Sequence, residues 1–500
     1  MSYGFKYAFN EIERQQLALL YFFQGFVNVN ALCLMGTIKS DCYVATVRGL
    51  TREAGIALLN RAAEAGLLTA HDGGLYTIHP ALPWYFKGLF EQYYEASTED
   101  KNNSAQKATH TFVEVMGGLG DYFHRRYVYT HQFLSALAIE EANLLYARQL
   151  ARTHGWWQAL FGTMQGLRAL YFHMGRHAEW ARLVEETVPD FVNPATDEPL
   201  LGCEEWWGIV TDYRVPLARR ALQWNKAERL QRMCVQRDRQ RATSLLALPP
   251  EKLDSEQRHD IHVLAMAIHE LAEIQRELGQ PECVEAYKES LTLLERIGEK
   301  AVACNFNLGH VYLQISTLRD LKQAEKCYRR ALELHQEYDH LGRAKCMNQL
   351  GYVAYERFQE SLAAKQPEED LLRHLNCAAQ FHYQALNLLP SDELNSLSIT
   401  HHALGNIYSH LAGNFNRALS HYHEAIRYAE ASDDNLYSAA TTRIKVSLAL
   451  ANAGRLNEAR LYAQAALGNY ETFGDRAATE IKQTQEWIAK IERDLKAKGD

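Results

Sequence analysis

Between about Asp260 and Asp475 one two-helix pattern returns again and again, and a chain with that periodicity has few ways to fold. The clearest copy places Leu404-Gly405 and Tyr408 ahead of Ala418, Tyr422 and Ala425. An earlier copy carries Leu308-Gly309 and Tyr312, then Ala324, Tyr328 and Ala331. Another has Leu350-Gly351 and Ala354, then Ala378, His382 and Ala385, closed by Pro390. The last reads Val446, Leu450 and Gly454, then Ala459, Ala463 and Ala466. A weaker first copy has Leu271-Ala272, Gly279, Cys283, Tyr287 and Ser290. The small residues let two antiparallel helices approach closely, while Leu and Tyr fill the space between neighbouring hairpins. Such a hairpin buries its apolar face only against the hairpins beside it, so the repeats predict a mainly α fold built as an α-solenoid.

The order Leu-Gly, Tyr, Ala, aromatic, Ala and Pro resembles the tetratricopeptide repeat (TPR). The resemblance implies a right-handed superhelix over 258–500, with the amphipathic segment from Ala477 to Lys498 covering its open end. The first helix of each pair should line a groove. Counting from Gly309, Gly351, Gly405 and Ser447, that lining is expected to hold His310, Gln314, Lys345, Asn348, Tyr352, Tyr355, Glu356, His402, Asn406, Ser409, His410 and Asn452. The surface is polar and aromatic with little net charge, suited to a protein or peptide held by hydrogen bonds and stacking. Lys345, Asn348 and Asn406 hint at a clamp for a terminal carboxylate, without the further basic residues such a clamp uses. Phe358 to Leu375 lengthens one hairpin around Pro367.

The first hundred residues read differently. EIERQQLALLYFFQ, residues 11–24, has helical periodicity with Asn10 as a cap. A short apolar segment runs from Asn28 to Met35, and an amphipathic helix from Arg52 to Ala65 stops at Gly66. Leu67–Ala70 and Leu75–Ile78 alternate on either side of Asp72-Gly73-Gly74, which predicts a hairpin. Three helices followed by a hairpin predict a winged-helix domain over 1–96. The helix that would enter a DNA groove sets Arg52 and Arg61 against Glu53 and Glu64. Duplex binding needs several unopposed phosphate contacts, so a protein-facing winged helix is expected, and nucleic acid is not expected as a partner.

A helical connector with worn TPR-like hairpins is expected over 97–257. Ser97 to Ser104 reads as a linker, Thr109–Phe123 and Phe133–Arg152 as helices, and a helix from Trp156-Trp157 to Met174 is parted by Gly175 from Ala178–Glu186. His173 and His177 are four apart, but Gly175 lies between them and no third ligand is near in sequence, so no metal is expected. Pro189, Pro194 and Pro199 mark a loop before Trp206-Trp207. In 214–241 nine Lys and Arg face only Glu228 and Asp238. This run reads as a solvated helix paired with acids from elsewhere. Its basic face at Arg219, Arg220 and Arg229 is also a candidate docking surface for an acidic partner or a second protomer.

A second resemblance spans nearly the whole chain. Leu58-Leu59-Asn60-Arg61, Ala65-Gly66-Leu67-Leu68, Tyr76-Thr77-Ile78-His79-Pro80 and Trp84-Tyr85-Phe86 resemble the winged helix of STAND signal-transduction ATPases of the NB-ARC kind. Glu140-Glu141-Ala142-Asn143-Leu144 is similar to the segment opening the helical sensor part of bacterial members. The resemblance implies that His79 would face a nucleotide diphosphate where an ATPase module is present; the residue also reads as a satisfied histidine at the base of a wing. No G-x-x-x-x-G-K-S/T loop occurs, and Gly36-Thr37-Ile38-Lys39-Ser40 lacks both the flanking glycines and a preceding strand. Without a glycine loop at a helix start there is no cradle for phosphates. The chain alone is therefore not expected to hydrolyse nucleotide or to hold a cofactor, and the ATPase is expected upstream of Met1 or lost.

No H-E-x-x-H, G-x-S-x-G or C-x-x-C occurs, and a Cys–His nucleophile could arise only by assembly in three dimensions, so a non-enzyme is expected. A net charge of -8 and a pI near 6.2 argue against bulk binding to nucleic acid or membrane surfaces. Nine unpatterned cysteines suggest a cytoplasmic setting. No apolar run reaches the roughly 18 residues of a spanning helix. These features predict a sensor in which the groove binds a protein or peptide and the winged helix relays that event to a STAND-type ATPase. The alternatives are a freestanding TPR adaptor and a winged-helix transcription regulator with a TPR ligand sensor.

Overall fold

The structure, a computed structural model, describes residues 8–37, 43–95, 99–127, 134–432 and 435–499. It is mainly helical and packs as two units, Met1–Tyr213 and Arg214–Asp500, dividing inside the segment expected as a connector.

In the first unit, α1 (Glu11–Ala18) begins at a reciprocal cap. The Asn10 side chain accepts the Glu13 N–H and the Glu13 carboxylate accepts the Asn10 N–H, each at 2.9 Å. The helix tightens into a 3-10 turn at Leu19–Phe22 and stops there, short of residue 24. β1 (Phe26–Asn28), α2 (Val29–Leu34), α3 (Arg52–Glu64), β2 (Leu68–His71) and β3 (Leu75–Ile78) follow. The expected hairpin forms with Thr69 opposite Thr77, and β1 joins its free edge to give an antiparallel sheet of order β1-β3-β2. The apolar segment expected from Asn28 to Met35 is α2, while Phe26 and Val27 carried no expectation because a strand of three residues is too short to show alternation.

Helices complete this unit: α4 (Pro83–Phe90), α5 (Glu99–Tyr127), α6 (Leu134–Ile139), α7 (Glu141–His154), α8 (Trp157–His173), α9 (His177–Thr187) and α10 (Glu204–Arg220), whose last turns belong to the second unit. The expected linker is helical from Glu99 onward, because extending an existing helix costs far less than starting one. The helix expected over 133–152 instead breaks at Glu140. There Glu140 and Asn143, both almost fully buried, grip β1. Asn143 donates to Phe26 O at 3.0 Å and to the Glu140 carboxylate at 2.7 Å, and accepts the Gln24 N–H at 2.7 Å. Asn28 donates to the other Glu140 oxygen at 3.0 Å.

Helices α5 and α8 touch backbone to backbone. A Cβ on Gly120 would lie 2.3 Å from Gly162 O, and one on Gly162 would lie 2.4 Å from Gly117 O. Gly118, one residue along, meets nothing within 4 Å. Gly120→Ala should therefore lower the unfolding free energy by about 1–3 kcal/mol through overpacking. Gly118→Ala should leave it unchanged or raise it by up to about 1 kcal/mol through helix propensity; urea titrations of the two variants measure the contrast.

In the second unit the basic run is divided. Leu222 adopts a left-handed conformation (φ 56°), ending α10 before α11 (Trp224–Ala242), so 214–241 is not one helix. Five hairpins then stack in order. They are α12 (Ser255–Glu277) with α13 (Cys283–Arg296), α14 (Val302–Gln314) with α15 (Leu321–Leu334), α16 (His340–Ala363) with α17 (Glu368–Leu388), α18 (Leu394–Ser409) with α19 (Phe415–Glu430), and α20 (Leu436–Asn452) with α21 (Leu456–Glu471). The third is the long one, turning at Pro367 as its sequence implies.

The glycines of the first helices meet rings from the second. A Cβ on Gly309 would lie 2.5 Å from the Tyr328 ring, one on Gly405 2.5 Å from Tyr422, and one on Gly351 2.6 Å from His382, which stands in for tyrosine. The fifth hairpin has Ser447 and Ala463 at these places. There α22 (Ala478–Gly499) brings in Trp487, which donates to Ser447 Oγ at 2.9 Å, and fully buried Ile491.

Candidate functional site

The first helices of the second to fifth hairpins, with His410 capping the end of α18, carry the expected groove residues, but the structure does not hold them alike. His310, Asn348 and His402 form a polar floor that is bonded within the protein. His310 Nδ1 shares a hydrogen bond with the Tyr328 hydroxyl at 3.1 Å. Asn348 donates to Thr400 Oγ1 at 2.8 Å, and its carbonyl oxygen pairs with His382 Nδ1 at 2.9 Å. His402 Nδ1 pairs with Thr442 Oγ1 at 2.9 Å. Burial pushes His310 and His402 down to about 4 and His382 to about 3, with Lys445 adding to the effect on His402. These imidazoles are neutral hydrogen-bonding parts of the scaffold.

Tyr352 lies half-buried with its ring edge-on to His382. Glu356 accepts from Arg319 at 2.7 Å. Lys345 and Gln314 are exposed. The trio Lys345, Asn348 and Asn406 makes no common clamp, because Asn348 is buried with its amide spent on Thr400 and His382.

The remaining residues come together. Tyr355, Asn406, Ser409, His410 and Asn452 line one hollow of about 630 Å³, with contributions from α16, α18, α19 and α20 and from the turn between α18 and α19. Lys445, Leu448, Ala449, Phe415 and Leu411 share its walls. Tyr355 and His410 pair through hydroxyl and Nε2 at 3.1 Å, Tyr422 donates to Asn406 Oδ1 at 2.8 Å, and Ser409 donates to Asn406 O at 2.7 Å. Leu448 is 36% exposed beside exposed Lys445. Sequence reasoning missed these two, although Leu448 follows Ser447 as Asn406 follows Gly405. An apolar residue at that register does not announce a polar groove.

The first hairpin carries a charged cluster that sequence reasoning also missed. His269 Nδ1 lies 3.3 Å from Cys304 Sγ, and its Nε2 lies 3.6 Å from the Glu273 carboxylate. Asn307 donates to Glu273 at 3.3 Å and Arg219 donates to it at 3.1 Å. Arg219 is thus turned inward to an acid, while Arg220 and Arg229 are exposed. Cys304 is only 1% exposed, so this Cys–His pair offers no nucleophile to solvent. Burial opposes the charged form of His269, but Cys304 and Glu273 outweigh it and raise the imidazole to about 9. The His269 contact, against burial and aided by Arg219, holds Glu273 down at about 2.

In the first unit His79 is exposed just after β3, its Nδ1 accepting the Ala81 N–H at 3.3 Å. Arg52 donates to Gly73 O at 2.9 Å and Arg61 pairs with Glu13, so both arginines of α3 serve internal contacts. Ile38, Lys39 and Ser40 lie outside the described residues. Among the described residues no group of three or more His, Cys, Asp and Glu could hold a metal, and no helix is long and apolar enough to cross a membrane.

No family model matches the sequence, and no curated protein matches it. Solved structures give weak likenesses. BtubC (BKLC) from P. vanneervenii is 22% identical over 51% of this chain and 89% of its own, with a TM-score of 0.36. A STAND protein with a tetratricopeptide repeat sensor from Pyrococcus horikoshii is 14% identical over 95% of this chain and 65% of its own, at 0.41. The apo quorum sensor NprR from B. thuringiensis is 14% identical over 64% of this chain and 78% of its own, at 0.40.

The charged cluster sets an expected pH dependence. A histidine raised from roughly 6.5 when unfolded to about 9 adds stability that is complete below the lower value and lost as pH climbs through the upper. Glu273, held near 2, adds stability that is lost only as pH falls toward that value. Arg219, Arg276, Tyr287 and Cys304 also face this cluster. Denaturation midpoints should fall more steeply above neutrality in the parent protein than in His269→Gln, the difference between the two isolating this residue.

Proposed function

We propose that the protein is a non-catalytic sensor whose second unit captures a peptide or protein partner along the first helices of its hairpins. One observation carries the reading: three successive hairpins converge on an open hollow in which an exposed leucine and exposed lysine stand beside Asn406 and Asn452. Asn348 and His402 are spent on bonds within the scaffold, so the side chains that line the hollow are the ones left for a ligand.

The reading extends to the first unit. A three-helix module with its sheet, in the order of a winged helix, serves as a relay to a STAND-type ATPase rather than as a reader of DNA. Two features support this. Both arginines of α3 are engaged internally, and Glu140 and Asn143, in the segment that resembles the start of a STAND sensor, clasp β1 directly. A ligand changes the output only as far as it binds two arrangements with different affinity.

Panning a random-peptide library against the full chain tests the groove. Leu448→Glu should weaken enriched peptides about tenfold or more, while Leu461→Glu, exposed on the second helix of the same hairpin, should not. Asn348→Ala should cost about 1–3 kcal/mol of stability, from an unpaired buried group, with little change in peptide affinity. Enriched peptides indifferent to Leu448→Glu, or no enrichment at all, would sink the reading.

A further inference from the structure

Successive hairpins also meet through their second helices, and the link recurs at one register. The residue after Tyr328, His382 or Tyr422 reaches the residue before the matching position of the next hairpin. The Arg329 guanidinium lies 5.7 Å from the centroid of the Phe381 ring, the Tyr383 hydroxyl 3.0 Å from His421 Nε2, and His423 Nε2 2.8 Å from the Tyr462 hydroxyl. Between the first and second hairpins the same two positions hold Lys288 and Cys327. There, among the described residues, no hydrogen bond, ion pair or ring contact joins α13 to α15.

That seam is left as a groove of about 790 Å³. Its floor is apolar, with Leu308 buried and Leu291, Tyr312 and Cys327 half-buried. At the register of Tyr312, the fourth hairpin has Tyr408, its hydroxyl bonded to Tyr383 and its ring covered by Arg417. The Tyr312 hydroxyl has no hydrogen-bond partner among the described residues. Burial lifts the Cys327 thiol above its usual range, against the pull of Lys326 and Lys288, so it belongs to the floor and is not a nucleophile. The rim is basic, although the chain carries a net charge of -8. Five Lys and Arg line the groove against three Glu, of which Glu325 is held by Arg329 and Arg357 and Glu333 by Arg330. The Lys322 and Lys326 side chains make no ion pair among the described residues, and Lys288 has only Glu285, one turn away and well exposed. Such an exposed pair contributes little and yields readily to another carboxylate.

We propose that this groove docks an acidic amphipathic helix of a partner protein. An aromatic or leucine side chain enters over Leu308, Tyr312 and Cys327, where the other seams are bridged from within, and carboxylates beside it meet Lys288, Lys322 and Lys326. The walls are helices whose backbone groups are already engaged, so an extended chain finds no edge to pair with, whereas a helix satisfies its own backbone. From Lys322 to Glu333 the α15 wall runs for about three turns, roughly 16 Å, enough for a short helix. The groove shares no residue with the hollow, so this docking stands whether or not the hollow captures a peptide.

A phage-displayed library of helices, panned against the full chain carrying Leu448→Glu, samples this surface with the hollow disabled. Recovered helices should carry Asp or Glu on both sides of a Phe, Trp or Leu. They should also protect Cys327 from alkylation by N-ethylmaleimide, read at that residue by mass spectrometry. Lys322→Glu together with Lys326→Glu, both at exposed positions, should weaken them about tenfold or more. Lys288→Tyr together with Cys327→His transplants the Tyr383 and His421 pair into the open seam and should abolish binding; should that variant fail to fold, the charge reversal alone decides. Recovery of no helix, indifference to the charge reversal, or undiminished binding to the folded, filled seam would overturn the proposal. So would protection of Cys327 by a DNA duplex and by no helix.

Discussion

The second unit depends on a contact between a residue with no side chain and the flat face of a ring. Each of Gly309, Gly351 and Gly405 admits an aromatic or imidazole ring where even a methyl group would collide. A glycine within a helix costs roughly 1 kcal/mol against alanine. Complete burial of a large side chain such as Tyr328 or Tyr422 offsets this with roughly 1.5–3 kcal/mol. The contact also fixes rotation. With the glycine face turned toward its own partner helix, the residues three before and one, four or five after it are carried to a common side in every hairpin.

That shared register creates the groove and also divides it. Residues three before the glycine, such as Asn348 and His402, point where the next hairpin reaches them, and Thr400 and Thr442 claim their polar atoms. Residues four or five after it, such as Ser409 and His410, lie past the overlap and stay exposed. Fidelity of stacking and availability for ligand therefore reside in different turns of the same helix.

The repeat periodicity was readable because it is local: each Leu-Gly pair, its Ala-Tyr-Ala counterpart and the lengthened hairpin at Pro367 declare themselves within a few dozen residues. Distant pairings were not. Gly120 and Gly162 look like unremarkable helix glycines until the two helices meet, and an acid from elsewhere was expected for the basic run without showing that Arg219 would take Glu273, 54 residues away. Asn348 and Asn406 share a residue type and a helix face, yet one is sealed and one is open. Only the position of the neighbouring hairpin distinguishes them. Lys445 was overlooked because it sits two residues before the small position, outside the stripe that the glycines define.

The clasp between β1 and the start of α7 joins its parts by oriented hydrogen bonds from two side-chain amides, Asn28 and Asn143, to the buried Glu140 carboxylate. Apolar contact tolerates sliding, since it has no preferred angle, whereas an amide donor loses strength quickly once it is turned off axis. A seam built this way behaves like a keyed shaft rather than a greased bearing: twisting the strand must either turn the helix with it or break the seam outright.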